Sequence, residues 1–189
     1  MTEPGVFAWI VVNSGAGPLE YVKEILMSDR MSAEIRIGGK VKRSHLPKLC
    51  EAIRAEGVSF DWGDAQVDDI APENITQYVS EDGVLCFCDD QARYGEFEGL
   101  EAALVKLGIA FDRESEGKYE YDPEVRHYRP GEIDEVRCTN HEGVPVIYPA
   151  DVEKALKALK AGKIEKSIQM LEKLCPQAPS PLLQFEIVD

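Results

Sequence analysis

Two stretches of the chain repeat one design, and that repeat limits the possible folds more than any other feature. Residues 33–61 laid over residues 84–112, an offset of 51, give each copy the same parts in the same order. These are a short apolar strand, a polar turn, an amphipathic helical stretch, a glycine and a second strand. Identities fall at Leu49/Leu100, Ala52/Ala103, Gly57/Gly108, Phe60/Phe111 and Asp61/Asp112, five of 29 columns. The shared pattern therefore carries more weight than the shared letters. Leu46, Leu49, Cys50 and Ile53 recur at i, i+3, i+4 and i+7, and Phe97, Leu100, Leu104 and Leu107 follow much the same spacing. Each set makes one apolar helical face. Ser44 stands where an N-cap belongs, and Gly57 and Gly108 stand where the backbone must turn left-handed to leave a helix. Val58, Phe60 and Trp62, and then Ile109 and Phe111, alternate as half-buried strands do.

Two strands joined through a helix are expected to lie parallel with a right-handed crossover. The expected fold is α+β on a mixed sheet, built from two tandem βαβ units, 33–64 and 84–115, in the pattern an internal duplication leaves. In the first unit Ile35 and Ile37 face one way, Glu34 and Arg36 the other. Val84 to Cys88 is apolar at nearly every position, which predicts a central strand covered on both faces. Val6 to Val12 has the same character and is its expected neighbour. Cover for the second face is expected from Pro18 to Met27, through Leu19, Val22, Ile25 and Leu26, and from the C-terminal helices.

The rest of the chain supplies further elements. Lys118 to Tyr121 is expected to return antiparallel to 109–115 through the Glu116-Gly117 turn. Val136 to Thr139 and Val144 to Tyr148 read as a second hairpin. Asp151 reads as the cap of a helix with Val152, Ala155, Leu156 and Leu159 on one stripe. Gly162 interrupts it, and Ile164, Ile168, Leu171 and Cys175 continue in a second helix, giving a C-terminal helical hairpin. Pro176, Pro179 and Pro181 then open an extended tail in which Leu183, Phe185 and Ile187 alternate, as in a strand added to its own sheet. A boundary near 150 separates an αβ body, 1–150, from a helical segment and tail, 151–189.

Charge narrows the partners. Among 189 residues there are 35 acids and 21 bases, a net charge of -14, which argues against a broad grip on nucleic-acid phosphates or an anionic membrane. The acidity belongs to the body, because residues 151–189 carry six acids and six bases. Five cysteines, an odd number without framework spacing, predict free thiols in a reducing compartment, so a cytoplasmic location is expected. No run approaches the roughly 20 apolar residues of a membrane helix. Val6 to Val12, preceded by Glu3, reads as a strand and not as an export signal.

Signatures of chemistry are sparse. There is no G-x-S-x-G elbow, and His45, His127 and His141 fall in different elements. Cys138-x-x-His141 and Cys86-x-Cys88 do not make up the four converging ligands of a structural zinc site, so no metal, no cofactor and no catalytic residue is assigned. Gly38-Gly39-Lys40-Val41-Lys42-Arg43 concentrates three positive charges at a strand-to-helix turn. There Gly38, Gly39, Lys40, Lys42 and Arg43 are candidate anion contacts through backbone amides and a helix N-terminus. The matching turn of the second copy, Asp89-Asp90-Gln91-Ala92-Arg93, would repel phosphate. Asp61 and Asp112 occupy equivalent strand positions, and Asp89 and Asp90 follow a strand end. All four are acid–base or cation candidates, although a solvated surface is the better account of each. Tyr119 and Tyr121, with Tyr128 beyond them, form the candidate interaction surface of the body.

The function this pattern favours is a non-catalytic module that docks onto another protein through the tyrosine-rich hairpin or the helical tail. A sharper form is an acidic nucleic-acid mimic that occupies the groove of a DNA-binding protein; direct nucleic-acid or membrane binding is not expected. The alternative is a small-molecule enzyme or sensor holding an anionic or phosphorylated ligand at Gly38 to Arg43.

Overall fold

A computed structural model describes residues 29–118, 121–175 and 178–189. The segments Val6 to Val12 and Pro18 to Met27, and Tyr119, lie outside them. The chain is an α+β protein. A five-stranded sheet is built from β1 (Arg30–Gly38), β3 (Leu85–Arg93), β4 (Ala110–Ser115), β5 (Glu124–Arg129) and β6 (Ile133–Cys138). Its order is β3-β1-β4-β5-β6, with every neighbouring pair antiparallel. Strands β2 (Lys40–Lys42) and β7 (Glu186–Val188) form a separate parallel pair. The helices are α1 (Leu46–Glu56), α2 (Glu98–Leu107), α3 (Pro149–Lys160) and α4 (Ile164–Leu174).

The five-stranded sheet is antiparallel and not mixed, the one parallel pair among the described residues being β2 with β7. β3 and β4 both run antiparallel to β1, so the two strands joined by α2 are parallel to each other but separated by β1. In the first unit the strand after α1 shrinks to one bridge, Ser59 to Cys88, on the far side of β3. Each unit is thus split by a strand of the other, as in βαββαβ arrangements. A helical crossover can span a gap one strand wide, and filling that gap satisfies both edges of β1, whose ladder groups would otherwise be buried unpaired. β3 is correspondingly an edge strand of the five-stranded sheet and not the central one. Leu85 and Phe87 are buried, while Cys86 on the opposite face is only half-buried.

The helical faces are placed as their spacing requires. Leu46, Leu49, Cys50 and Ile53 are all buried against Ile35, Ile37, Phe87 and Phe111 of the sheet, together with Phe97, Leu100 and Leu104 of α2. Full burial of one such side chain contributes about 1.5–3 kcal/mol, so these residues form the main core. α1 and α2 end at Gly57 (φ 77°) and Gly108 (φ 66°), both left-handed. The neighbouring helices are tied where Glu56 Oε2 accepts the amide of Leu100 at 2.7 Å. Phe60 and Trp62 are exposed instead of continuing a strand, because the chain turns at Gly63 and Ser59 pairs back on Gln66.

Other boundaries also shift. The strand that pairs with β4 is β5, beginning at Glu124; Lys118 and Tyr121 bridge only each other. β6 pairs with β5 along its length, whereas the segment after Asn140–Gly143 makes no ladder with it and meets its end through the Thr139–Pro145 bridge, the Val146 amide on the Cys138 carbonyl at 3.0 Å and a side-chain bond between Tyr148 and Cys138. α3 starts at Pro149, whose missing N–H costs nothing in a first turn, and Asp151 sits inside that turn bonded to Lys154. α4 touches α3 where Ser167 Oγ donates to the Ala155 carbonyl at 2.9 Å, with both residues buried. The tail returns to the body: Arg129 Nε bonds the Ser180 carbonyl, and Phe185 and Ile187 pack on the core. No helix among the described residues is long and apolar enough to cross a membrane.

Candidate interaction surfaces

The basic turn lies under the C-terminal tail. Gly39 N–H faces the carbonyls of Leu183 at 2.9 Å and Gln184 at 3.2 Å, and Glu186 N–H donates to the Gly39 carbonyl at 3.0 Å. A Cβ on Gly38 would come within 2.2 Å of the Leu183 carbonyl oxygen, so this position tolerates only glycine while β7 is in place. Lys40 and Lys42 project to solvent on either side of buried Val41, and Arg43 Nε lies 3.3 Å from Asp189 Oδ1. The backbone groups that would hold an anion here hold the chain's own end.

The four aspartates divide into two places. Asp61, Asp89 and Asp90 line a small cleft of about 200 Å³ beyond the β3 edge. Two of them serve local turns, since Asp61 Oδ1 accepts the Trp62 amide and Asp89 Oδ1 the Gln91 amide, both at 2.8 Å. Asp112 stands on β4, with β1 and β3 between it and that cleft. There it accepts two bonds from Arg129, 2.8 and 3.0 Å, and lies 2.7 Å from His127 Nδ1. Burial opposes ionisation of Asp112, but the bonds from His127 and Arg129 outweigh it and hold the carboxyl below its usual range. Among the described residues no three His, Cys, Asp or Glu side chains converge as metal ligands. Cys86 and Cys88 face this acidic side. Burial first and then nearby carboxylates, Glu34 for Cys86 and Asp61 for Cys88, push the thiols up to about 12 and about 11, far from a nucleophile's range.

Tyr121 and Tyr128 do not share a surface. Tyr128 turns inward, its ring 5.5 Å from that of Phe111 and its hydroxyl donating to the Val105 carbonyl at 3.2 Å. Tyr121 lies at the other end of the strand, its ring 5.9 Å from that of Tyr94. Near that end the sheet opens into a groove of about 480 Å³, lined by Trp62 and the carboxylates of Glu34, Glu114, Glu116 and Glu124. Carboxylates beside an indole favour a cationic guest over a phosphate.

Missing from the sequence reading is a buried ion network between sheet and helix. Arg113, only 1% exposed, reaches Glu101 of α2, which also accepts Arg126 Nη1 at 2.7 Å, and Arg126 in turn binds Asp134 through two contacts. The signal was available: Ile109, Phe111 and Arg113 share one phase of the strand, so the arginine had to point into the core.

The most distinctive surface belongs to the C-terminal helices. Among the described residues, fifteen large hydrophobic side chains are exposed, and eleven of them lie between Val136 and Leu171. Val152, Leu156 and Leu159 of α3 and Ile164, Ile168 and Leu171 of α4 form the two stripes, each 36–58% exposed. Exposed large apolar side chains gathered on one pair of helices are the feature that docking surfaces share. No family model, curated protein or solved structure matches the chain.

Proposed function

We propose that the protein is a non-catalytic docking module of the cytoplasm that binds another protein through the apolar face of α3 and α4. The observation that carries this reading is the row of six exposed large hydrophobics on α3 and α4, beside five more between Val136 and Tyr148, in an otherwise acidic protein. The docking surface thereby moves from the tyrosines to the helical tail. An acidic mimic of nucleic acid has less support, because Asp112, Glu101 and Asp134 are each paired with arginine and do not form an open row of charge. An anionic ligand at Gly38 to Arg43 has less support because β7 uses the same backbone groups. The same reading takes the interleaved units as products of an internal duplication, on the strength of their matching helix, glycine and strand order, and treats 151–189 as the segment that carries the docking function.

Affinity purification of the full chain beside a Leu156→Asp/Ile168→Asp variant tests the proposal. Recovery of a stoichiometric partner by the native chain, retained in high salt and absent from the variant, is expected, because apolar contacts are not screened whereas exposed ion pairs are. Equal recovery by both proteins overturns it.

A further inference from the structure

The helical face carries a pattern that identifies its occupant. In α3 the residue buried against α4 is Ala155, and in α4 the residue buried against α3 is Ser167. Val152, Leu156 and Leu159 stand at −3, +1 and +4 from Ala155. Ile164, Ile168 and Leu171 stand at the same three offsets from Ser167. At 3.6 residues per turn these offsets place each stripe about 40–100° around the helix from its contact line. Only three residues, 161–163, separate the helices, so they run antiparallel. Equal rotations on antiparallel helices turn both stripes to the same side of the pair. The result is one two-helix apolar sheet, half of a four-helix bundle.

The margins of that face differ in charge. Continuing outward, positions +5 and +2 of α3 are Lys160 and Lys157. The corresponding flank of α4 carries Glu172 at +5 and Glu165 at −2, with uncharged Gln169 at +2. Glu153 is the one acid on the α3 flank. All five charged side chains are exposed. One margin is therefore net positive and the other negative. A second copy turned about a two-fold axis parallel to the helices brings each α3 over the partner's α4, so that Lys157 and Lys160 meet Glu165 on both sides of the interface while Glu153 falls beside Glu172 at its far end, and the net-positive margin meets the negative one. The other two-fold arrangement sets α4 over α4, glutamate against glutamate.

We infer that the occupant of this face is a second copy of the chain, forming a two-fold four-helix bundle in which α3 packs on the partner's α4. The inference rests on the docking reading above and names the partner. Isologous pairing of this kind is the commonest form of protein assembly, and edge charges of opposite sign set partner choice in helical bundles.

The test is a charge swap read by analytical ultracentrifugation of full-length chains. The native protein is expected to sediment as a dimer that Leu156→Asp converts to monomer. Lys157→Glu/Lys160→Glu and Glu165→Lys/Glu172→Lys are each expected to weaken self-association at least tenfold. An equimolar mixture of the two is expected to restore a dimer containing one of each, because every reversed margin then meets its complement. Circular dichroism of each variant confirms that it folds. A native chain that remains monomeric at about 100 μM, where a micromolar interface would be largely assembled, overturns the second-copy assignment. So does a mixture that behaves as the sum of its parts. Neither result touches the docking reading, because recovery of a different protein in the affinity purification would leave this face a docking site with another occupant.

Discussion

Arg113 Nε lies 3.4 Å from Glu101 Oε1 in the interface between sheet and helix, with only 1% and 4% of the two side chains exposed. Glu101 also accepts the Phe97 amide at 3.0 Å at the start of α2 and the Arg126 guanidinium at 2.7 Å. One carboxylate thus pairs with two arginines, whose remaining charge meets Glu124 and Asp134, and closes a helix end. Removing one partner of a buried pair leaves the other charge uncompensated, at a cost of about 3–5 kcal/mol. Glu101→Leu is expected to lose stability in that range by urea denaturation. Glu101→Leu combined with Arg113→Met is expected to lose less than the sum of the two single changes, and strict additivity would show that the contact carries no coupling.

Asp112 sets a pH dependence whose sign follows from its environment. Its carboxyl is held below the usual value by His127 and Arg129 against the opposing effect of burial. A depressed carboxyl contributes stability that is complete above the unfolded-state pKa of about 3.9 and lost as pH falls through the folded value. The stability difference between the native chain and Asp112→Asn is expected to shrink as the pH falls below about 4. A difference that stays the same down to pH 3 would remove the assignment.

Gly38 fixes the C-terminal strand. Because the Leu183 carbonyl sits where a side chain would be, Gly38→Ala is expected to displace β7 from β2 and to cost about 1–3 kcal/mol, the range for overpacking. Hydrogen exchange reads this directly: the amides of Gly39 and Glu186, which bridge the two segments, should lose protection while those of α2 keep theirs. Unchanged protection at Gly39 would mean that the tail does not depend on this contact.

Thiol chemistry should separate Cys175 from Cys50, Cys86 and Cys88. Cys175 is exposed, Cys50 and Cys88 are buried and Cys86 is half-buried. With the Cys86 thiol pushed up to about 12, about one molecule in ten thousand is ionised there at pH 8. Alkylation at pH 8 followed by peptide mass spectrometry is expected to label Cys175 first and to reach Cys50, Cys86 and Cys88 only on unfolding. Rapid labelling of Cys86 in the native chain would contradict the burial and charge around it.

Much of the core was legible in the sequence. The faces Leu46-Leu49-Cys50-Ile53 and Phe97-Leu100-Leu104 are buried as their spacing requires, and the left-handed glycines after each helix stand where helices end. Ile35 and Ile37 point inward, Glu34 and Arg36 outward. These features depend on contacts within one or two turns or along one strand, so nearby residues suffice to specify them. Tyr128 was misread because alternation alone does not say which phase of a strand faces the helices. That phase is set by pairing Tyr128 with Phe111 across β4 and β5.

Local sequence specified where α1 and α2 stop, which helical faces are apolar, and that the C-terminal pair carries stripes of matching spacing, but not where the helices begin: α1 starts at Leu46 without a cap from Ser44, and α3 at Pro149 ahead of Asp151. Only the tertiary structure decided that β1 separates the strands of the second unit, that Arg113 meets Glu101, that Asp112 lies among His127 and Arg129 and far from Asp61, and that the stripes of α3 and α4 stay uncovered by the described body. The division has a physical cause. Helix faces and caps arise from hydrogen bonds three to five residues apart, whereas strand order and ion pairing join residues brought together only when distant segments compete for the same edge and the same buried surface.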